Sequence, residues 1–342
     1  MIVEKFPDRE IIINGKTYLY FGGTSYLGMA TNSEFQELVF NSIKKWGICY
    51  GSSRASNIKL AVFKKAETSF SKFIGAESSL SVCSGMLAGK LVISNLQSKN
   101  QTFFHYPKTH PAILAPNSLP LFINNQLHPK LLDDSTQEIV ISADAILSLD
   151  VTITNFDFLN NISNNKKITL VIDESHTLGI VGKSGEGIFN SIKNDKISRK
   201  IMVSSLGKAM GLSAGIIASD NTFINELKNE TIFVTSSPAN PAYLEAYLQA
   251  QKLYKIQFNK LKANLNFLNK ILVKSENFSF NKSYPVIYSE KSEVSELLLK
   301  NGIINARFKY PTYKNEMNRI VITANHTQKD LEKLALLLNS AK

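Results

Sequence analysis

Two short segments of this 342-residue chain carry side chains whose types and spacing could do chemistry. In Ile168-Thr-Leu-Val-Ile-Asp173-Glu-Ser-His176-Thr-Leu-Gly179 an apolar run ends in a carboxylate, an imidazole follows three residues later, and a glycine-rich stretch continues through Gly182, Gly185 and Gly187. A carboxylate held ionised at the end of a strand suits a ring cation or a metal. The same residues could instead be a helix N-cap and a hydrogen-bonded core histidine. Nothing nearby is spaced to complete a metal site, so no metal is expected. In the second segment an apolar run over 200–204 leads into Ser205-Leu-Gly207-Lys208-Ala-Met-Gly211. Small neighbours leave room beside that lysine, and a partly desolvated amine can attack a carbonyl. On composition alone it could also be one more surface cation among 39 lysines and arginines.

The two segments say more together than apart. Pyridoxal phosphate needs a lysine to bond its aldehyde and an acidic partner for its pyridine nitrogen, and Lys208 and Asp173 supply that pair. Their order and spacing resemble the fold-type I pyridoxal-phosphate enzymes, and within them the α-oxoamine synthase family. The resemblance runs from Tyr18-Leu-Tyr-Phe-Gly-Gly-Thr-Ser-Tyr-Leu-Gly28 to Arg319-Ile-Val-Ile-Thr-Ala-Asn-His326. Gly51-Ser-Ser-Arg54 is similar to the family's glycine-rich GGSR segment. Cys83-Ser84-Gly85-Met86-Leu-Ala is similar to the element whose N–H groups, at a helix start, hold the cofactor phosphate. Thr109-His110-Pro-Ala-Ile resembles the segment whose histidine stacks on the pyridine ring, although His110 could also be a surface histidine of a proline-containing loop. By the same resemblance Asp173 pairs with the pyridine nitrogen, His176 hydrogen-bonds the ring hydroxyl, Lys208 bonds the cofactor, and Ser205 contacts the phosphate. Thr235, in Phe233-Val-Thr-Ser-Ser-Pro238, matches the position that reaches the partner subunit's phosphate, which implies a homodimer with shared sites. Arg319 matches the arginine that grips a substrate carboxylate, a role its planar fork suits.

The reaction this resemblance implies is condensation of an amino acid with an acyl-CoA, with loss of CoA and carbon dioxide, to an amino ketone. The departures fall mainly on the substrate side. Thr24 stands at a substrate-side position where the family has asparagine, Asn57-Ile58-Lys59 replaces Ser-Gly-Asn, Phe63 replaces a histidine and Ala143 a glutamate. The stretch between His110 and Glu138 is compressed. An aminotransferase on the same scaffold and a non-catalytic cofactor-binding protein are the alternatives, since one fold hosts many functions.

Such residues must be positioned by a scaffold. Apolar runs at 79–82, 138–142, 168–172 and 200–204 alternate with stretches of helical period, the pattern of an α/β fold with a mostly parallel, helix-covered sheet. Ligands then sit outside the carboxyl ends of the strands. A long lysine-rich stretch over 240–274 reads as a linking helix. Beyond it, strands at 286–289 and 319–323 and helices at 293–301 and 328–338 predict a smaller α+β domain. The expected division is an N-terminal segment 1–40, a cofactor-binding large domain 41–245 and a small C-terminal domain 246–342. Composition is that of an ordinary globular chain, 44% hydrophobic and 20% charged, which excludes a disordered or collagen-like protein. No apolar run reaches membrane-spanning length and no signal-peptide layout opens the chain, so a cytoplasmic protein is expected. Cys49 and Cys83 lack disulfide-framework or metal spacing. Net charge is +11, but the lysines are scattered without a basic stripe, so no nucleic-acid partner is expected.

Overall fold

A computed structural model describes residues 1–99, 101–147, 150–308 and 316–341. Its larger sheet has seven strands in the order Ser78–Val82, Gly215–Ser219, Ile197–Ser205, Lys166–Asp173, Gln137–Asp144, Thr102–His105 and Leu119–Pro120. Gly215–Ser219 runs antiparallel to both neighbours and the others share one direction. The four predicted runs are therefore neighbours or near neighbours in one sheet. Leu170, Ile172 and Met202 face one hydrophobic core, whereas Val171, Ile201 and Val203 face the other. Burial on both sides explains the unbroken apolar runs, because each covered Val, Ile or Leu contributes about 1.5–3 kcal/mol. Parallel strands end on one edge, so the residues that follow Val82, His105, Asp144, Asp173 and Ser205 are gathered there.

The smaller sheet has six strands in the order Glu10–Ile13, Lys16–Phe21, Ile303–Phe308, Met317–Val321, Val286–Ser289 and Ser279–Phe280. Lys16–Phe21 pairs in parallel with Ile303–Phe308, with Leu19 opposite Ile303. The N-terminal hairpin thus completes a sheet otherwise made from the C-terminal quarter of the chain. Helices Ser292–Lys300 and Gln328–Ser340 pack with these strands.

The predicted linking helix is two helices, Pro241–Gln249 and Gln251–Ile271. At the break the Gln251 side chain donates to the Tyr247 carbonyl at 2.7 Å, while the Ala250 N–H is shared between Ala246 and Tyr247. A side chain inserted into the backbone ladder is a recognised cause of a kink. Among the described residues no helix is long and apolar enough to cross a membrane, and no cluster of His, Cys, Asp and Glu is arranged to hold a metal ion.

Candidate active site

At the carboxyl edge of the larger sheet lies a cleft of about 220 Å³ lined by Gly85, Met86, His110, Asp144, Asp173, Ser175, His176, Ser205 and Lys208, with Ala112 and Ile146. Lys208 sits in the turn between strands Ile197–Ser205 and Gly215–Ser219. The turn is closed by Leu206 N–H to Ala214 O at 2.9 Å and Leu212 N–H to Leu206 O at 2.9 Å. The segment after Asp173 is a series of turns and not a helix. Asp173 caps it locally, its Oδ1 accepting the Ser175 N–H at 2.8 Å, and the Ser175 hydroxyl accepts the Ser205 N–H at 2.8 Å. The two chemistry-bearing segments are thereby stitched together.

The glycine-rich stretch that follows is held from beneath by Glu174. Its buried carboxylate accepts from Thr177 Oγ1 at 2.6 Å and from the N–H groups of Ile188 at 2.8 Å and Phe189 at 2.7 Å. Gly187 has φ +83°, and a Cβ there would stand 2.0 Å from Glu174 Oε2, so only glycine fits. Burial pushes the Glu174 carboxyl up to about 7.

Helix Gly85–Gln97 points its N-terminus into the cleft. Ser84 is its N-cap, accepting the Leu87 N–H at 3.1 Å, and its carbonyl accepts the Ala88 N–H at 3.0 Å. Helix geometry leaves the N–H groups of Gly85 and Met86 without intrahelical acceptors, which makes this end a site for an anion. Ser205 stands directly against it: a Cβ on Gly85 would fall 2.6 Å from the Ser205 Cβ. A phosphate cradle of two N–H groups and a hydroxyl fits this arrangement.

Also in the lining, Asp144 and Asp173 occupy the same register of adjacent parallel strands. Asp144 is buried, and its Oδ1 accepts the His110 N–H at 3.1 Å. Burial, then the charge of Asp173, hold the Asp144 carboxyl well above the usual carboxylate range. His110 Nδ1 accepts the Ala112 N–H at 3.2 Å and so carries no proton. Its 4.0 Å approach to Asp173 Oδ2 is therefore not an ion pair. Burial lowers the His110 pKa in the same sense, against the pull of Asp173.

Lys208 Nζ lies 3.0 Å from His176 Nε2, and His176 Nδ1 lies 2.8 Å from the Tyr26 hydroxyl, which accepts from Arg319 Nη2 at 2.6 Å. Burial lowers the pKa of Lys208, with Arg319 adding to the effect and Asp173 and Asp144 opposing it. Burial first, then the cations Lys208 and Arg319, hold His176 well below its ordinary value. An imidazole without charge beside an amine whose proton is loosely held is a site prepared for carbonyl and proton-transfer chemistry. The loop bearing Tyr26 is pinned by Ala324 N–H to Tyr26 O at 2.9 Å and by Gln257 Nε2 to Leu27 O at 2.8 Å.

Of the residues singled out in the sequence, Gly85, Met86, His110, Asp173, His176, Ser205 and Lys208 line the one cleft, with Ser84 capping the helix at its floor. Arg319 joins them through Tyr26. Thr24 is half-buried in the loop before Tyr26 and is not in the lining. Thr235 is also outside it, its Oγ1 donating to the Thr231 carbonyl at 2.7 Å. Arg54 of the Gly51-Ser-Ser-Arg54 segment is engaged elsewhere, paired with Glu67 and stacked 4.2 Å over the Phe63 ring. Sequence reasoning missed Tyr26 and Asp144. A signal for Asp144 was present, since it lies two residues beyond the predicted run 138–142, and the observed strand Gln137–Asp144 ends on it as its neighbour ends on Asp173.

Residues 125–337 match the family model for aminotransferase class I and II, and the chain belongs to that family. Fold and site together define a fold-type I pyridoxal-phosphate-dependent transferase. The chain is 28% identical to 8-amino-7-oxononanoate synthase of Buchnera aphidicola subsp. Baizongia pistaciae (strain Bp), over 97% of this chain and 91% of that protein. It is 27% identical to the enzyme of the same name from Petrotoga mobilis, over 94% and 88%. Among solved structures, Sphingomonas wittichii serine palmitoyltransferase superposes with TM-score 0.82 at 16% identity, covering 99% of this chain and 91% of that one. The 8-amino-7-oxononanoate synthase of Francisella tularensis superposes with TM-score 0.70 at 22% identity, covering 94% and 96%.

Proposed function

We propose that this protein is a pyridoxal-phosphate-dependent acyltransferase of the α-oxoamine synthase type, like 8-amino-7-oxononanoate synthase, joining an amino acid to an acyl-CoA. The observation that carries the reading is the convergence of Lys208, Asp173 and a helix N-terminus on one cleft, with Arg319 linked to it through a single hydroxyl. When bound, pyridoxal phosphate supplies a carbonyl for amines and an electron-withdrawing ring that stabilises negative charge on the amino acid's α-carbon.

The N–H groups of Gly85 and Met86 and the Ser205 hydroxyl would hold the phosphate. Asp173 would hold a proton at the ring nitrogen, His176 would hydrogen-bond the ring hydroxyl, and His110 would cover the ring. Lys208 would be the amine that bonds the cofactor and would take up the amino acid's α-proton; its lowered pKa suits both tasks. Arg319 orients the substrate carboxylate. The α-carbon then forms a bond to the acyl carbon as the carbon–sulfur bond breaks and the CoA thiolate leaves. The carboxylate departs as carbon dioxide, and a proton takes its place on the α-carbon. Thr235 serves the partner subunit's phosphate in a homodimer, which accounts for its position outside the cleft of its own chain.

The test is to mix holoenzyme with alanine, glycine or serine and a series of acyl-CoAs and to follow free thiol. Thiol release that requires both substrates is the expected result. Stoichiometric formation of pyridoxamine phosphate and a keto acid from the amino acid alone, with no thiol released, would replace this reading with an aminotransferase.

A further inference from the structure

The hydrogen bonds that join Arg319, Tyr26, His176 and Lys208 have a direction. We propose that Tyr26 is a positioning residue that holds His176 as the Nε2–H tautomer, and that Arg319 sets that hold by donating to the same hydroxyl. The inference deepens the reading above, resting on it for the importance of Lys208.

A tyrosine hydroxyl has one proton to give and two lone pairs, whereas a guanidinium can only donate. Arg319 Nη2, at 2.6 Å, therefore occupies a lone pair of the Tyr26 oxygen. The hydroxyl proton has two destinations, His176 Nδ1 at 2.8 Å and the Tyr284 hydroxyl at 3.4 Å. The shorter contact is the stronger hydrogen bond, and Tyr284 can donate to the remaining lone pair of Tyr26. His176 Nδ1 is then an acceptor and bears no proton. Burial keeps the imidazole neutral, so its one proton lies on Nε2, which stands 3.0 Å from Lys208 Nζ. An N–H facing a lysine requires a free lone pair on the amine, the form in which Lys208 is a nucleophile.

Tyr26 itself has little freedom to do otherwise. Its side chain is fully buried, its carbonyl is bound by Ala324, and the next carbonyl is bound by Gln257. Without the hydroxyl, neither tautomer satisfies Nδ1. The Nδ1–H form then gains the advantage, because its Nε2 can accept a charge-assisted hydrogen bond from a Lys208 ammonium that Asp173 and Asp144 stabilise. One oxygen atom thus decides whether the cleft faces an imidazole N–H or an imidazole lone pair.

Long-range proton–nitrogen correlation spectra of the cofactor-free full chain, labelled with 15N-histidine, read the tautomer directly. The signal is assigned by its loss in His176→Asn. In wild type His176 is expected to carry its proton on Nε2. Tyr26→Phe is expected to shift it to Nδ1–H or to an average of the two, and Arg319→Gln to move it part of the way. Tyr284→Phe should leave it unchanged. An Nδ1–H signal in wild type overturns the proposal without any Tyr26 variant, as does an unaltered Nε2–H signal in folded Tyr26→Phe. Neither spectrum involves turnover, so failure here leaves the acyl-transfer reading standing, and absence of thiol release leaves the tautomer assignment standing.

Discussion

Replacing Gly85 by alanine perturbs the phosphate end of the cleft by a single carbon. The added Cβ would meet the Ser205 Cβ at 2.6 Å and its Cα at 2.7 Å. Carbon atoms settle at about 3.5–4.0 Å, so the helix start and the end of strand Ile197–Ser205 must separate by about 1 Å. Those two elements carry the groups assigned to the phosphate, the N–H groups of Gly85 and Met86 on one side and the Ser205 hydroxyl on the other. A hydrogen bond to a charged group contributes about 1.5–3 kcal/mol, and a 1 Å opening cannot keep both sides in contact with one anion. Losing one such contact, about 2 kcal/mol, weakens cofactor binding about 30-fold. Folding should suffer by about 1–3 kcal/mol from overpacking. Titration of the folded variant with pyridoxal phosphate, followed by its visible absorbance, measures the first effect, and urea unfolding measures the second. If the variant folds and its affinity stays within about threefold of wild type, the helix N-terminus does not hold the phosphate.

Further outcomes follow from other parts of the site. Asp173→Asn keeps the hydrogen bond from Ser175 through its amide oxygen but cannot stabilise a ring proton, so turnover should fall about 100-fold or more while cofactor affinity changes little; wild-type turnover removes Asp173 from the mechanism. Arg319→Lys retains charge but loses the fork and the hydrogen bond to Tyr26, and the amino-acid KM should rise about tenfold or more, with acyl-CoA KM unmoved. An unchanged amino-acid KM would assign the carboxylate to another residue. Glu174, raised from 4.5 to about 7 by burial, holds a proton in the folded protein that the unfolded chain has released between those values. Its stabilising share is complete below about pH 4.5 and lost as pH rises through about 7, amounting to about 3 kcal/mol. Urea unfolding of wild type against Glu174→Gln should show that pH-dependent difference, and parallel profiles would refute it.

The sequence by itself determined where the local motifs lie in the fold. Asp173 and Lys208 follow apolar runs, and a run buried on both faces must end at a sheet edge, so their place was legible singly, whereas their chemistry was legible only from the pair. Ser84 and Gly85 were legible as a small-residue turn between a strand and a helix, but their link to a phosphate, like that of Ser205, came only from the family resemblance. Asp144 also ends a strand at that edge, but its meaning depends on Asp173 lying opposite it, and register between strands is not written in either strand. The linking helix was legible as a helix, whereas its break at Ala250 came from one glutamine side chain competing for a carbonyl. Only the tertiary structure brought Arg319 to Tyr26, residues 293 positions apart in the chain. That contact requires the N-terminal hairpin to pair with a C-terminal strand, a choice made by burial of both sheets' faces together. Hydrophobic period specifies which faces must be covered; which distant segment covers them, and so which hydroxyl meets which imidazole, is settled when the whole core closes.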